Sequence, residues 1–454
     1  MSIVVINVVG LTPRLAAHAP HLSSLGAPRP LAGPTPMVTC TAQATMLTGV
    51  GPDVHGIVGN GWLYPDTGEI RFWQQSRRLI QSPVVYEAGF GDPDAPPLRT
   101  AKMFWWFNGD APVDYACTPK PFYGSDGGKV FAVDDRTGCN LVGRLGEFPF
   151  FSFWGPRSGL PSSRWIADAT SIVIREKRPE LTLVYLPHLD YDHQRLSDPP
   201  TSLITEVDEC AKTIIDAAVE IDATVIAVSE YGLTPVHRPV HINRVFREHD
   251  LVTVRPGPYG DALVPGLCDA VAVADHQVAH VYFPKSSTTL RGVNSDPKLR
   301  RGASCYGSVR RILEQTPGIA AVVDPREIGL SHPRAGDLIA LSDPDAWFTY
   351  YHWIDDDDAP DYARTVDIHR KPGYDPVELF ATSNLRAAAR LAQKKLGFRY
   401  RMDVTPLDAT LVKGSHGLQP ADPHDGAVVI APDTPSPPGR MEEVPEYIRQ
   451  RTSR

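Results

Sequence analysis

Nowhere does this 454-residue chain hold an apolar run approaching the roughly 18 residues of a membrane helix, which excludes a spanning segment. Blocks of Lys or Arg are missing too, and with a net charge of −8 this argues against a nucleic-acid surface. The six cysteines (Cys40, Cys117, Cys139, Cys210, Cys268 and Cys305) show no CxxC and no paired spacing. In a chain of this size they read as reduced thiols, and hence as a cytoplasmic protein. The opening SIVVINVVG lacks the basic segment and cleavage site of a secretory signal. No internal repeat is present. What the chain has in plenty is turn formers, 44 prolines and 36 glycines, so many ordered loops are expected. Its length suits one large core with an insertion, or two domains.

Residues 2–9 form a continuous β-branched run of the kind found in strands covered on both faces. Residues 98–106, 181–186 and 223–229 are further buried strands, and 164–176 and 201–219 have helical spacing. Such alternation implies βαβ units and a mostly parallel sheet. From Val236 to Pro333 the pattern changes, and a smaller α+β insertion is expected over 236–333. GDLIAL at 336–341 is read as resuming the main sheet, so the core comprises 1–235 and 334–432. Residues 433–454, polar and Pro-rich, are expected to form a loose tail.

Residues 34–62, PTPMVTCTAQATMLTGVGPDVHGIVGNGW, carry the main chemical signal. A Pro-punctuated loop runs straight into helix formers closed by Gly49. A hydroxyl at a helix start lies where free N–H groups and the positive dipole end converge. Thr39 or Thr41 is therefore either an N-cap, the commoner case, or a nucleophile whose oxyanion the helix start holds.

In parallel sheets ligands gather beyond the carboxyl ends of the strands. Those positions hold Val8-Val9-Gly10, then Asp190, Asp192 and His193, then Glu230-Tyr231-Gly232, and finally Lys413-Gly414-Ser415-His416-Gly417. Two carboxylates, a histidine and a hydroxyl on converging loops suit a Zn²⁺- or Mn²⁺-type ion. Other clusters read as structural first. Asp275, His276 and His280 lie in AVADHQVAHVYF, which alternates like one strand. His241 is a lone histidine. Asp355–Asp358 lack calcium-loop spacing, and Trp105, Trp106, Phe107, Trp154, Trp347, Phe348, Tyr350 and Tyr351 are core by default. Asp367 and His369 share one face, and Arg370 and Lys371 beside them are placed to meet a phosphate.

The spaced motif Thr48-Gly49, Pro52, His55-Gly56-Ile57 and Asn60 resembles the nucleotide pyrophosphatase/phosphodiesterase branch of the alkaline phosphatase superfamily. The insertion resembles in outline the cap of phosphonoacetate hydrolase-like members. The resemblance implies an alkaline phosphatase-like α/β fold, with a mostly parallel central sheet, helices on both faces and a smaller α+β insertion. It implies a threonine nucleophile ten residues before the glycine of TG, which is Thr39. The family's DxxxH loop falls on Asp190, with either Gln194 in register or His193 one place early. Its Asp-His pair falls on Glu230 and Tyr231, and its late histidine on His416. Its first-strand aspartate falls on Val9, and an asparagine three residues after the nucleophile on Ala42. Three ligands of the usual two-metal centre are thus replaced. Asn7, on the same strand face as Val9, lies about 6.6 Å further back and is a poor ligand.

The expectation is a cytoplasmic, metal-dependent phosphoesterase cleaving a phosphodiester, phosphomonoester or phosphonate. Thr39 attacks, and the helix start at Cys40 with Arg370 and Lys371 binds the substrate. One divalent ion rather than two, zinc first and manganese or magnesium otherwise, rests on Asp190, Glu230 and His416, with His193 as a fourth ligand. The partner is a small phosphorylated metabolite, with no nucleic acid and no membrane. The alternatives are a relative repurposed for a non-hydrolytic step and a silent anion- or nucleotide-binding protein.

Overall fold

IVVINV, residues Ile3–Val8, is buried along its whole length, so both of its faces must be covered. The computed structural model describes residues 2–123, 125, 129–284, 298–398, 402–433 and 436–452. In it this strand lies in the middle of an eight-stranded sheet. Leu181–Leu186 and Thr224–Val228 flank it in parallel. Thr100–Met103 and Tyr115–Pro119 continue the parallel array. Antiparallel strands close the edges: Val428–Ile430 and Arg29–Pro30 at one, Val133–Asp135 at the other.

Leu160–Lys177 and Ser202–Val219 pack on each other and on the strands. The second buries Ile204, Val207, Ala211 and Ile214, the stripe its 3.6-residue period dictates. Burying each of its Ile and Val side chains stabilises by about 1.5–3 kcal/mol. Its buried Asp208 accepts N–H bonds from His21 and Leu22 at 2.9 and 2.8 Å, which fastens the short Pro20–Ser23 helix to it.

The chain divides into two compact units. One comprises Met1–Ile57, Gln75–Leu233 and Gln419–Arg454; the other comprises Val58–Gln74 and Thr234–Leu418. The second unit thus runs beyond the expected 236–333. Leu338–Ser342, read from sequence as resuming the main sheet, instead pairs antiparallel with Val278–Tyr282 and Ile319–Val323. A short apolar run carries no mark of which sheet it joins. With Val271–Asp275 these make a four-stranded sheet. The expected single strand through DHQVAH is a hairpin, with Asp275 paired to Val278 and His276 at the tip in the left-handed region, φ 60°.

The C-terminal stretch also departs from expectation. Thr434 and Pro435 lie outside the described residues, but Val444–Thr452 is a helix with Val444, Pro445, Tyr447 and Ile448 buried. It packs on the Thr39–Thr48 helix of the same unit. Gly49 ends that helix at φ 73°, and a Cβ there would stand 3.1 Å from the Glu442 carbonyl. Conformation and close approach both require glycine at this position. Among the described residues no helix is long and apolar enough to cross a membrane.

Candidate active site

The site-bearing residues of the first unit come from three places at the strand ends. Thr39 is the first residue of Thr39–Thr48, whose first intrahelical bond runs from Ala42 N–H to the Val38 carbonyl at 2.9 Å. The N-cap is Val38, which cannot cap with its side chain, so Thr39 is not a cap. Its hydroxyl turns instead to Tyr231, with Oγ1 3.3 Å from the phenol oxygen. Asp190 lies in the first turn of His188–Arg195, directly after Leu181–Leu186. Glu230 and Tyr231 follow Thr224–Val228. Gly232 lets this turn close, since a Cβ there would fall 1.9 Å from the Asp425 carbonyl.

Glu230 is fully buried. Its Oε1 accepts from Asn7 Nδ2 at 2.6 Å and from Gln43 Nε2 at 2.5 Å. Burial pushes its carboxyl up to about 8, against the lowering effect of Gln43, Asn7 and the Thr39 hydroxyl; the nearby charge of Asp190 adds to the rise. Asp190 Oδ2 accepts from Gln194 Nε2 at 2.6 Å. Burial raises Asp190 to about 7, opposed by its bonds to Gln194 and Tyr231. Tyr231, pushed well up by burial and then by both carboxyls, links Thr39 to Asp190. The motif histidine His55 has a structural task. Its Nδ1 accepts from Ile57 N–H at 3.0 Å, so Nε2 carries the proton and meets Thr45 Oγ1 at 3.0 Å. Thr45 in turn donates to the Thr41 carbonyl at 2.9 Å, bracing the helix that carries Thr39.

The other expected site residues are distributed as follows. Cys40 is buried in the first turn beside Thr39. His193 does not face Asp190: its Nδ1 bonds the Leu189 carbonyl of its own helix at 2.7 Å, and Gln194 takes the inward position. His416 belongs to the second unit, its ring 3.5 Å from that of His276, whose other neighbour is Tyr374 at 3.7 Å. In that unit Asn60 of the motif clamps Asp275 through N–H and Nδ2 at 2.7 and 3.0 Å. Lys371, expected to bind substrate, is 1 % exposed and held by Asp375 and Glu378 at 2.6 and 2.7 Å. Its ammonium is thus engaged by two carboxylates inside the protein. Arg370 is exposed and pairs with Asp361 at 2.7 Å. Gln43 had a signal in the sequence, four residues after Thr39 on one helix face. Asn7 had one too, as the lone polar side chain of an apolar strand.

A threonine at a helix start, set beside two buried carboxyls beyond the ends of a parallel sheet, follows the plan of the alkaline phosphatase superfamily. Residues 3–375 match the family model of type I phosphodiesterase / nucleotide pyrophosphatase, and the chain belongs to that family, whose members are phosphoester hydrolases. The structure of phosphonoacetate hydrolase from Sinorhizobium meliloti 1021 with phosphonoformate is similar, with a TM-score of 0.56 at 15 % identity over 100 % of this chain and 96 % of that one. The same enzyme with phosphonoacetate gives 0.57 at 16 % identity, with the same coverage. At such identity the likeness establishes the fold. No curated protein matches the chain by sequence.

Members of the superfamily are metal-dependent, which supports a divalent ion for the family's chemistry. The donor set of this chain does not fit that arrangement. Val9 is apolar and fully buried, and Tyr231 and Gln194 stand where imidazoles are expected. Each carboxyl gives one oxygen to amide N–H bonds, which leaves Glu230 Oε2 and Asp190 Oδ1 as two buried oxygens without a hydrogen-bond partner. Among the described residues no three His, Cys, Asp or Glu side chains are grouped so as to hold an ion.

The two carboxyls also set a pH dependence of stability. Each binds its proton more tightly folded than unfolded, so what it contributes is complete below about 4 and lost as pH rises through about 7 for Asp190 and 8 for Glu230. His188, lowered by burial to about 4, works the other way, but its contribution is complete above its unfolded value of 6.5. Of these three groups, only the two carboxyls still change stability between pH 6.5 and about 8, and both lower it. The thermal midpoint should therefore fall over that interval, and less so in Glu230→Gln. A pH slope that is the same in Glu230→Gln as in the parent would show that Glu230 is ionised in the folded protein.

Proposed function

We propose that this chain hydrolyses a small phosphorylated metabolite, a phosphoester or a phosphonate, with Thr39 as the nucleophile. The observation that carries the reading is the position of Thr39. It is the first residue of a buried helix, it does not cap it, and its hydroxyl is directed to Tyr231 and Glu230. Oγ1 of Thr39 attacks phosphorus, the bond to the leaving atom (oxygen in an ester, carbon in a phosphonate) breaks, and Glu230, which ionises as pH passes about 8, takes the Thr39 proton. The departing atom is protonated by water, and the hydroxide so formed takes the proton from Glu230. A second water then cleaves the phosphorylated threonine, releasing phosphate, or a phosphomonoester where the substrate is a diester, and restoring the hydroxyl. The N–H groups at the helix start, Cys40 among them, are oriented to hold the non-bridging oxygens. An ion on Asp190, Glu230 and His416 with His193, and zinc as its identity, have no grouped donors to support them, and the reaction written above uses none.

That neighbouring structures hold phosphonoacetate and phosphonoformate supports small substrates. No disulfide joins any cysteine among the described residues, which supports a reducing compartment and the cytoplasmic placement. Val9, Gln194 and Tyr231 in place of metal ligands favour one further reading, transfer of the phosphoryl group to an acceptor other than water. A panel of small phosphomonoesters, phosphodiesters and phosphonates tests both, with released phosphate, released alcohol and phosphorylated products measured separately. Release of phosphate, or of alcohol with the matching phosphomonoester from a diester, above a Thr39→Ala background supports hydrolysis, and a phosphorylated added acceptor in place of these supports transfer. If neither appears with any member, the enzymatic reading fails.

A further inference from the structure

We propose that hydrogen bonds from Asn7 and Gln43 take the place of a metal ion at Glu230, so that this centre works without one. The inference concerns the site of the proposed hydrolysis and rests on that reading only for what the centre is used for. Glu230 accepts both amides on one oxygen, at 2.6 and 2.5 Å, in a place fully closed to solvent.

The direction of the Gln43 amide decides what an ion would meet. Its Oε1 accepts the backbone N–H of Trp106 at 2.7 Å. A backbone N–H can only donate, so the carbonyl end of Gln43 must face Trp106 and its NH₂ must face Glu230. On its Oε1 side the carboxyl therefore looks onto N–H dipoles whose positive ends occupy the ground a cation would need. An ion would be left with Oε2 of Glu230 and Oδ1 of Asp190, both buried without a hydrogen-bond partner. Among the described residues no third His, Cys, Asp or Glu is grouped with them, short of the three or four protein ligands of a zinc site.

Nothing else among the described residues completes a site around those two oxygens. Val9, on the first strand, presents a buried aliphatic side chain, and its N–H is used by the Leu186 carbonyl at 3.2 Å. Asp190 is engaged by Gln194 at 2.6 Å and by the Tyr231 phenol. The changes are also mutually consistent. A ligating carboxylate at position 9 would stand beside an amide at position 7, and an imidazole in place of Tyr231 would remove the phenol that meets Thr39. Asn7 and Gln43 are thus positioning residues: they hold Glu230 next to the Thr39 hydroxyl, the task an ion and its ligands would otherwise perform.

The test uses the full chain and metal alone. The purified protein is equilibrated with zinc chloride, and separately with manganese chloride, dialysed, and its bound metal measured by elemental analysis and calorimetric titration. Glu230→Gln, which keeps the shape and the acceptor oxygen, and Asp190→Asn are treated alongside. Expected is far less than one ion per chain, or a bound ion that both variants retain and that is therefore held elsewhere. One tightly bound ion lost in Glu230→Gln or in Asp190→Asn would overturn the proposal. Neither measurement needs a substrate, so failure to find one sinks the hydrolase reading and leaves this inference to be judged on metal content. Where turnover is found, a chelator should leave kcat unchanged, and Gln43→Ala should lower kcat with little change in KM. Inactivation by the chelator with recovery on adding zinc would likewise overturn the proposal.

Discussion

Thr39→Ala is expected to abolish turnover, lowering kcat on any phosphoester the parent cleaves by on the order of a thousandfold or more. The reasoning is that no other hydroxyl is placed to replace it. Thr41 is fully buried, and Thr45 is committed to the Thr41 carbonyl and His55. Only Oγ1 of Thr39 meets Tyr231 and lies at the helix start. Because the N-cap is Val38, removing the Thr39 side chain costs no capping bond; it removes the hydrogen bonds to buried Tyr231 and Glu230, about 1–3 kcal/mol. Loss of activity in a protein that still unfolds cooperatively is therefore the specific signature. Thr39→Ser, which keeps the oxygen, should retain a measurable fraction, and a radiolabelled phosphoryl group should be trapped on the parent and on Thr39→Ser alone. Full activity in Thr39→Ala would remove the nucleophile from the mechanism and favour direct attack by water.

Much of this centre was legible because local rules and tertiary structure agree. The β-branched run at the start of the chain, the strand–helix alternation and the Pro-loop leading to a Gly-closed helix each point to a parallel sheet with Thr39 at a strand end. Legibility stopped where one residue decides direction. His193 and Gln194 lie three and four positions after Asp190, and both spacings reach the same helix side. The Leu189 carbonyl captured the histidine, which no local pattern announces. The hairpin within AVADHQVAHVYF was hidden for a different reason. Its loop holds no Gly or Asn, and the left-handed turn is made by His276, a residue type that seldom signals one. Leu338–Ser342 reads identically as a strand of either sheet, so its partner is a long-range outcome. The role of Gln43 was readable from spacing to Thr39, but only the Trp106 N–H fixes which end of its amide meets Glu230.

Lys371 shows how far burial can reverse a surface reading, and its removal is the second large effect. In HRK the pair Arg370-Lys371 looks like a phosphate grip, and Arg370 does lie in solvent, over the Tyr362 ring at 5.5 Å. Lys371 turns inward, 1 % exposed, with Glu378 fully buried and Asp375 nearly so. Burial alone would lower the ammonium; the charges of Asp375 and Glu378 and their hydrogen bonds outweigh it, so the net direction is upward. Both carboxylates serve the backbone as well. Asp375 Oδ1 caps Val377 N–H at 3.2 Å, and Glu378 Oε1 accepts Asp367 N–H at 2.8 Å. Lys371 is thus the counter-charge that lets two acidic groups order this loop beside the Tyr350, Trp353 and Val377 cluster. Lys371→Met keeps the aliphatic length and leaves two buried carboxylates without a cation, which should cost about 3–5 kcal/mol. Urea unfolding should show the loss as a lower midpoint for the transition of the second unit. Lys371→Met combined with Asp375→Asn and Glu378→Gln, which removes all three charges, should recover a substantial part of it, because neutral amides need no counter-ion. If Lys371→Met leaves the midpoint where it was, the triad carries no stability, and the case for Lys371 as a ligand-binding residue reopens.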